Sequence, residues 1–323
     1  MTKSHCLTTG ARGRTGTGAH RGRRFREERA VGATTVIASD NLRAAVDSEG
    51  AQLLSLALDG REYLWQGDGR WWPRRAPVLF PIVGALRGDR CTTQQGPATM
   101  AQHGIARTHE HEVVDVRPAS VTFRLTDDEG TRGQWPYAFS LSMTYAVGDG
   151  ALAQTFSVEN TGDVPMPFQL GGHPAFNVPL EPGSGEAFED WVLEFAEPWT
   201  YDTPVIHDRL IDWSDRVAVV DGEAVLPLSH RLFDRDAIVL QDVPGRTVRL
   251  EGTRSGHGVE VNFPGFEYCG IWSAAGDAPF VAVEPWTGTA TGTDEGDAME
   301  EKRGVTLLAP GGTFERTFTV RPF

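Results

Sequence analysis

The stretch FSLSMTYAVGDGALAQTFSVE, residues 139–159, decides the fold class. From Leu141 to Val147 every second residue is large and apolar, and the residues between them are small or polar. This period of two is typical of a β-strand with one buried face. The Gly-Asp-Gly at 148–150 predicts a hairpin turn into a second strand of the same kind.

The rest of the chain repeats this pattern in short runs rich in Val, Phe, Leu and Thr, separated by turn residues. Sustained helical spacing of apolar residues is missing, and 37 Gly and 20 Pro disfavour long helices. We therefore predict an all-β fold of antiparallel sheets stacked as a sandwich, with less than about 10% helix. The further predicted strands are Ser120–Leu125, Trp191–Phe195, Ala237–Gln241, Thr247–Glu251, Val259–Phe263, Phe280–Val283, Gly304–Leu308 and Thr313–Val320.

The sign of the charge divides the chain near residue 35. Residues 1–35 carry eight Lys or Arg against two Glu, so residues 36–323 hold a charge of −20 within the total of −14. The first segment is dominated by Gly, Thr and Arg and has almost nothing to bury, which predicts a disordered basic tail. A basic arm for an acidic partner is the functional alternative. Residues 36–323 are predicted to form one domain.

The acidic body limits the possible partners. It disfavours nucleic acid and anionic membranes, and it weakly favours a neutral substrate. No apolar run approaches the roughly 18 residues of a membrane helix. Cys6, Cys91 and Cys269 are odd in number and far apart, so neither a disulfide framework nor a thiolate zinc site is predicted. We expect a cytoplasmic protein, monomeric or homodimeric, with a small-molecule ligand.

Four segments place a polar, titratable or aromatic side chain beside Gly or Pro at the end of an apolar strand, where a rigid sandwich presents functional groups. In the last of them Glu284 ends an apolar run, and Pro285 is expected to stop the strand. A carboxylate there should be partly desolvated, which raises its pKa toward that of a useful general base. The segments read RAPVLFPIVG (75–84), QHGIAR (102–107), QLGGHPAFN (169–177) and FVAVEPWTG (280–288).

From the residues alone, structural roles stay open. His103 and His173 can be hydrogen-bonded structural residues, Glu284 a solvated rim residue and Trp286 a packing residue. The dinucleotide, Walker, serine-hydrolase and zinc-protease motifs are all missing, so no cofactor, metal or serine nucleophile is predicted. The His-Glu-His at 109–111 lacks a third ligand at a workable spacing and is interpreted as an exposed alternating strand rather than a metal site.

In this order, the four segments resemble the aldose 1-epimerase superfamily, and in particular its LacX-like branch. The shared motifs are APVLFPIVG, QHGIAR, GGHPAFN and EPWTG, and the Gly-Ile-Trp at 270–272 is also similar. The resemblance covers about residues 36–323. It implies the galactose mutarotase-like fold, a supersandwich of antiparallel strands.

The resemblance also implies a chemistry, the interconversion of α and β sugar anomers through the open chain without a cofactor. It assigns Glu284 as the base that takes the proton of the C1 hydroxyl and His173 as the acid that protonates the ring oxygen. A carboxylate and an imidazolium can exchange protons with one sugar near neutral pH. The implied sugar-binding residues are His103, Trp286, Asp236 with Asp234 as second candidate, Arg87 and Arg107.

Several functions therefore compete. The leading one is an epimerase of a free aldohexose, and a non-catalytic sugar-binding protein of the same fold is the alternative from a different class. Arg107 also matches the His-Gly-x-Ala-Arg of the hexose-6-phosphate branch, which leaves a phosphorylated substrate open. A glycoside hydrolase would need a second carboxylate roughly 5–10 Å from Glu284.

Overall fold

A computed structural model describes residues 32–323, and within them the all-β prediction is confirmed. Each of the ten predicted strands overlaps an observed one. The strands are β1 Thr34–Ser39, β2 Leu42–Asp47, β3 Leu53–Leu58, β4 Arg61–Glu62, β5 Val78–Leu79, β6 Arg90–Thr93, β7 Gly96–Thr99, β8 Glu112–Arg117, β9 Ser120–Thr126, β10 Phe139–Gly148, β11 Ala151–Asn160, β12 Met166–Phe168, β13 Gly171–Gly172, β14 Ala175–Asn177, β15 Trp191–His207, β16 Leu210–Pro227, β17 Ile238–Gln241, β18 Thr247–Gly252, β19 Gly258–Asn262, β20 Tyr268–Trp272, β21 Phe280–Trp286, β22 Thr306–Leu308 and β23 Thr313–Pro322.

Helical structure within this range is short. The α-helix α1 spans Glu129–Arg132, and Asp128 caps it by accepting a hydrogen bond from the backbone N–H of Thr131. In the part of the chain that the structure describes, no helix is long and apolar enough to cross a membrane. The single turns of 3-10 helix are Arg87–Asp89, Ala106–Thr108, Phe188–Asp190, His230–Phe233, Pro244–Arg246 and Met299–Glu301.

The hairpin of β10 and β11 lies inside a nine-stranded sheet whose order is β16-β15-β18-β19-β23-β11-β10-β9-β8. Its register runs from Phe139 opposite Asn160 to Gly148 opposite Ala151, as the turn at 148–150 requires. The alternate side chains of β10, from Phe139 to Val147, are buried. Two-residue periodicity is therefore what sets this face of the core.

A six-stranded sheet carries the functional residues. Its order is β17-β20-β21-β13-β5, and β14 also pairs with β21. Along β21, Val281 and Val283 point into the main core, whereas the even-numbered residues from Phe280 to Trp286 point to the opposite face. The face that carries Val281 and Val283 packs on the nine-stranded sheet. Gly172 of β13 shows this contact, since a Cβ there would lie 2.7 Å from the ring of Phe318 in β23.

The prediction that Pro285 stops the strand is wrong, since β21 continues through it to Trp286. The N–H groups on one side of β21 explain this. Val283 donates to Pro174 and Thr287 donates to Leu170, so by alternation the nitrogen of Pro285 faces Gly172, the last residue of β13. One ladder hydrogen bond is therefore missing at Pro285, and the bonds of Val283 and Thr287 on either side of it keep β21 in the sheet.

The predicted disordered tail, residues 1–35, lies almost wholly outside the described range. Its last two residues, Thr34 and Thr35, already belong to β1 and pair with Asp47 and Val46. The folded body therefore begins slightly earlier than the predicted boundary at residue 36.

Cys91 and Cys269 are both buried and unbridged.

Candidate active site

A pocket of about 520 Å³ lies on the face of the six-stranded sheet that carries the even-numbered residues of β21. All four motif segments line it, and the last three contribute titratable side chains. The first segment contributes Pro77 and the backbone turn at Gly84. The titratable and aromatic groups that line it are Trp72, Arg74, His103, Arg107, His173, Arg209, Phe233, Asp234, Asp236, Trp272, Glu284 and Trp286.

Glu284 lies in the middle of the sheet, opposite Gly270 of β20, and only 1% of its surface is exposed. Burial raises the pKa of this carboxyl well above its ordinary value. The indole N–H of Trp286 opposes the rise, and the negative charge of Asp236 adds to it. Oxygen Oε2 has no hydrogen-bond partner among residues 32–323. The carboxyl group therefore keeps one oxygen available for a ligand.

His173 lies in the break between β13 and β14, directly across from Glu284. Its Nε2 is 3.3 Å from Oε1 of Glu284. Burial lowers the pKa of His173 to about 3, and the charges of Arg107 and Arg74 add to the decrease. Burial thus favours the neutral forms of both partners. One proton on either of them gives a neutral pair or an ion pair, and a short transfer connects the two states.

Aromatic rings fix the orientation of His173. Trp72 stacks on the imidazole with ring centroids 4.7 Å apart and planes 24° from parallel. Trp272 contacts the same imidazole edge-on at 5.6 Å. Trp72 is itself held because Trp65 donates its indole N–H to the Trp72 carbonyl. The acid–base pair therefore lies against an aromatic wall that excludes water from one side.

His103 is held by the backbone of Gly84 at two points. The N–H of His103 donates to the Gly84 carbonyl, and the N–H of Gly84 donates to Nδ1 of the imidazole at 3.1 Å. Nδ1 is therefore an acceptor, which leaves Nε2 as the protonated nitrogen of a neutral ring. Burial, followed by the charges of His173, Arg107 and Arg74, lowers the pKa of His103 well below its ordinary value. The ring can thus donate one hydrogen bond to a ligand.

Trp286 is mostly a packing residue with one edge in the pocket. Its exposed fraction is 6%, and its indole lies between two glycines of neighbouring strands. A Cβ on Gly171 would be 2.7 Å from its ring, and a Cβ on Gly270 would overlap it. These contacts explain why the motifs around it contain glycine at both flanking positions.

Asp236 and Asp234 also line the pocket, just before β17. Asp236 has a positive φ of 76°, and its carboxylate accepts a hydrogen bond from the N–H of Ala237. This turn aims the carboxylate at the strand end. Its negative charge adds to the rise in the pKa of Glu284.

The structure places Arg87 outside the pocket. Its guanidinium donates to the carbonyls of Gly292 and Glu295 and lies 3.5 Å from the carboxylate of Asp297. These acceptors lie on the loop after β21. They use the guanidinium N–H groups of Arg87 that the resemblance assigns to sugar binding. Arg107 does line the pocket, together with Arg74, which the sequence analysis did not single out.

The His-Glu-His segment at 109–111 is not the exposed alternating strand that was expected. His111 is 1% exposed and donates from Nδ1 to the carbonyl of His109, and β8 starts only at Glu112. Burial lowers the pKa of His111 to about 4. Within residues 32–323, no group of three His, Cys, Asp or Glu side chains is placed to hold a metal ion.

Comparison with known proteins identifies the family of this chain. The sequence profile of the family described as aldose 1-epimerase matches residues 33–300. The chain belongs to the aldose 1-epimerase family. Protein LacX of Lactococcus lactis subsp. lactis is similar to this chain, with 34% identity over 296 residues that cover 89% of this chain and 98% of LacX.

Two solved structures of similar proteins share the fold of this aldose 1-epimerase family member. A galactose mutarotase related enzyme from Lactobacillus acidophilus gives a TM-score of 0.84 at 31% identity, covering 90% of this chain and 97% of that one. A galactose mutarotase-like protein from Lactobacillus casei gives 0.82 at 29% identity, covering 90% and 100%. The predicted galactose mutarotase-like fold is therefore confirmed.

Proposed function

We propose that the protein is an aldose 1-epimerase that interconverts the α and β anomers of an aldohexose with a free anomeric hydroxyl. The observation that carries this proposal is the contact of 3.3 Å between Nε2 of His173 and Oε1 of Glu284 inside the pocket. Mutarotation needs one group that accepts a proton and one that donates a proton to the same sugar. A buried carboxyl–imidazole pair provides both without a cofactor.

In the proposed reaction, Glu284 takes the proton of the C1 hydroxyl while the bond between C1 and the ring oxygen breaks. His173 delivers its proton to that oxygen, which becomes the C5 hydroxyl of the open-chain aldehyde. Rotation about the C1–C2 bond presents the other face of the aldehyde. Reversal of the two proton transfers closes the ring as the other anomer and restores the pair.

The pair keeps one proton throughout this cycle, because Glu284 gains one as His173 loses one. Its resting neutral form and its ion-pair form contain the same number of protons. A transfer across the contact interconverts them without exchange with solvent. Burial disfavours the charged form of each group taken alone. It still allows the pair to hold the one proton that the reaction uses.

The other pocket residues bind and orient the sugar in this proposal. His103 offers its Nε2–H on the same side as His173, since the two rings are 5.5 Å apart. Asp236, which lines the pocket, accepts hydrogen bonds from sugar hydroxyls. Trp72 and Trp272 supply the apolar faces against which a sugar ring packs.

The first test measures anomer exchange by polarimetry or exchange NMR on a panel of neutral aldohexoses. Glu284→Gln and His173→Asn should each slow exchange by about 10²-fold or more, the usual scale for positioned proton transfer. Sugar affinity should change far less, because the changes are nearly isosteric. Glu159→Gln, at an exposed position of β11, is the matched control and should keep the wild-type rate.

The same experiment separates the proposal from its alternatives. A sugar-binding protein without catalysis would bind a sugar yet show no exchange above the uncatalysed rate. A purely structural role for the pair would give rate losses that follow unfolding measured by circular dichroism. Near-wild-type exchange by Glu284→Gln on the best sugar overturns the mechanism.

A further inference from the structure

A tryptophan lies flat on the proposed acid. Trp72 comes from the loop between β4 and β5, and its indole stacks on the imidazole of His173 with ring centroids 4.7 Å apart and planes 24° from parallel. Trp72 is only half-buried and lines the pocket. A large apolar ring gains more from full burial, so burial alone does not explain this position.

The backbone around Trp72 is fixed by hydrogen bonds. The N–H of Trp72 donates to the carbonyl of Asp68, and its carbonyl accepts the indole N–H of Trp65 at 2.9 Å. The neighbouring indole of Trp71 donates to a carboxylate oxygen of Asp277, also at 2.9 Å. Three hydrogen bonds thus hold the Trp72 indole in its place at the pocket.

His173 lacks the support that a histidine in proton transfer usually has. In most such residues a carbonyl or a carboxylate accepts the proton of the second ring nitrogen and so orients the ring. Nδ1 of His173 is buried and has no hydrogen-bond partner of good geometry among residues 32–323, although the backbone of His173 itself favours the charged form. The orientation of the imidazole therefore comes from the rings that contact it.

The groups around His173 differ in their effect on its protonated form. Oε1 of Glu284, 3.3 Å from Nε2, favours this form as the partner of the ion pair. Burial and the charges of Arg107 and Arg74 oppose it, and His103 lies edge-on at 5.5 Å. A cation in this position gains from any neighbour that presents negative charge to it.

The face of an indole is such a neighbour. Its π electrons give it a partial negative charge, and tryptophan attracts cations more strongly than the other aromatic residues do. We propose that Trp72 is a positioning residue of the epimerase reaction, whose indole face orients the imidazole of His173 toward Glu284 and stabilises its protonated form. The role of His173 as the acid rests on the proposed function. Trp72 thus acts on the rate through His173, in addition to the apolar contact that it offers to a sugar.

Two substitutions test the contribution of the ring. Trp72→Phe keeps a weaker aromatic face, and Trp72→Leu keeps apolar bulk without π electrons. We expect kcat for anomer exchange to fall about tenfold in Trp72→Leu and clearly less in Trp72→Phe. Circular dichroism and denaturant unfolding verify that both variants fold. Equal losses of kcat in the two variants, or losses that follow unfolding, overturn the inference.

Fluorinated tryptophans at position 72 separate the charge of the ring face from its shape. Each fluorine withdraws π electrons and weakens the attraction for a cation, while the ring keeps nearly the same size. We expect log kcat to fall with each added fluorine, whereas Kd for the sugar changes far less. A kcat that does not respond to fluorine, or a Kd that rises as steeply as kcat falls, overturns the action through His173.

Trp199 provides the matched control for this series. It lies in β15, is also half-buried, and stacks on Tyr201 with ring centroids 4.9 Å apart. The same fluorinated tryptophans at position 199 should leave kcat unchanged. An equal response at positions 72 and 199 would trace the effect to general changes in the protein and overturn the inference.

Nitrogen NMR of labelled histidine gives a readout that does not depend on catalysis. We expect a smaller protonated fraction of His173 in Trp72→Leu than in the wild-type protein, compared without sugar at the lowest pH at which both stay folded. This difference in a protein that exchanges no anomers supports the stabilisation by Trp72 and overturns the proposed reaction. Anomer exchange that persists while neither the nitrogen signals nor kcat respond to Trp72 overturns the inference and leaves the proposed reaction intact.

Discussion

At the scale of single residues, the site is defined by groups whose pKa values are shifted from their ordinary values in water. Glu284 and His173 are buried side by side, and burial moves both toward their neutral forms. Such perturbed groups that converge in a pocket are typical of catalytic sites. The pair therefore titrates as one unit rather than as an ordinary glutamate and an ordinary histidine.

This coupling predicts the pH profile. The acid limb of kcat/KM reports the second proton taken up by the free enzyme, and that proton must go to His173. Because the pKa of His173 is lowered from 6.5 to about 3, the rate should stay nearly constant as the pH falls from 7.5 to 5. Rates measured at each pH, with circular dichroism to verify folding, check this. A midpoint near pH 6.5 in a folded protein would indicate a solvated histidine instead.

At the scale of elements, the positions of the site residues follow from strand alternation and from turns that only glycine fits. Gly104 has a φ of 74°, and a Cβ there would overlap the carbonyl oxygen of Phe80, at the end of β5. This close approach brings the turn that carries His103 next to the strand. The glycine after His103 is therefore part of how the pocket is built.

A pair of substitutions separates the close approach from backbone strain. Gly60 also has a positive φ, of 81°, but a Cβ there meets nothing within 4 Å. Gly60→Ala should therefore cost only the left-handed strain, about 1–2 kcal/mol. Gly104→Ala should cost at least about 1 kcal/mol more from overpacking, and it should also slow exchange by displacing His103. Denaturant unfolding measures both, and equal losses would show that the contact is relieved at no cost.

The sequence predicts an element well where the residues that determine it lie close together in the chain. The β10–β11 hairpin is predicted almost to the residue, because its pattern and its turn are adjacent in the chain. The hairpin of β15 and β16 is predicted only at Trp191–Phe195, since Pro198 and Pro204 and several register shifts hide its continuation. The tip of this hairpin reaches the pocket. Ile211 there forms an isolated β-bridge with Gly292.

The same limit applies to the candidate site. The resemblance identifies Glu284, His173 and His103 as a group, and the structure brings them together. The resemblance gives no sign of Trp72. This residue lies in a loop without periodicity, and it stacks on His173, about 100 residues further along the chain. Arg87 lies outside the pocket because carbonyls of a distant loop accept its hydrogen bonds. A signal was present in the run RWWPRR, residues 70–75, whose aromatic and basic side chains precede the first motif.

At the scale of the whole molecule, one continuous core supports both large sheets and begins with β1. Ile37 of β1 is fully buried in the same cluster as Phe156 of the nine-stranded sheet and Val283 of the six-stranded sheet. The residues before β1 are rich in Gly, Thr and Arg and carry few large apolar side chains. Folding of the body should therefore depend on β1 but not on the residues that precede it.

Two truncations test this dependence. Removal of residues 1–31 should leave the melting temperature and the exchange rate nearly unchanged, because it takes away little apolar surface. Removal of residues 1–40 also deletes β1, including Ile37 and the pairing of Thr34–Ser39 with β2. Loss of that strand exposes part of the core, and we expect a lower melting temperature by several degrees or more, since about 1 kcal/mol shifts a protein of this size by roughly 2–4 °C. Equal destabilisation by the two truncations would show that the first 31 residues contribute to the stability of the folded protein.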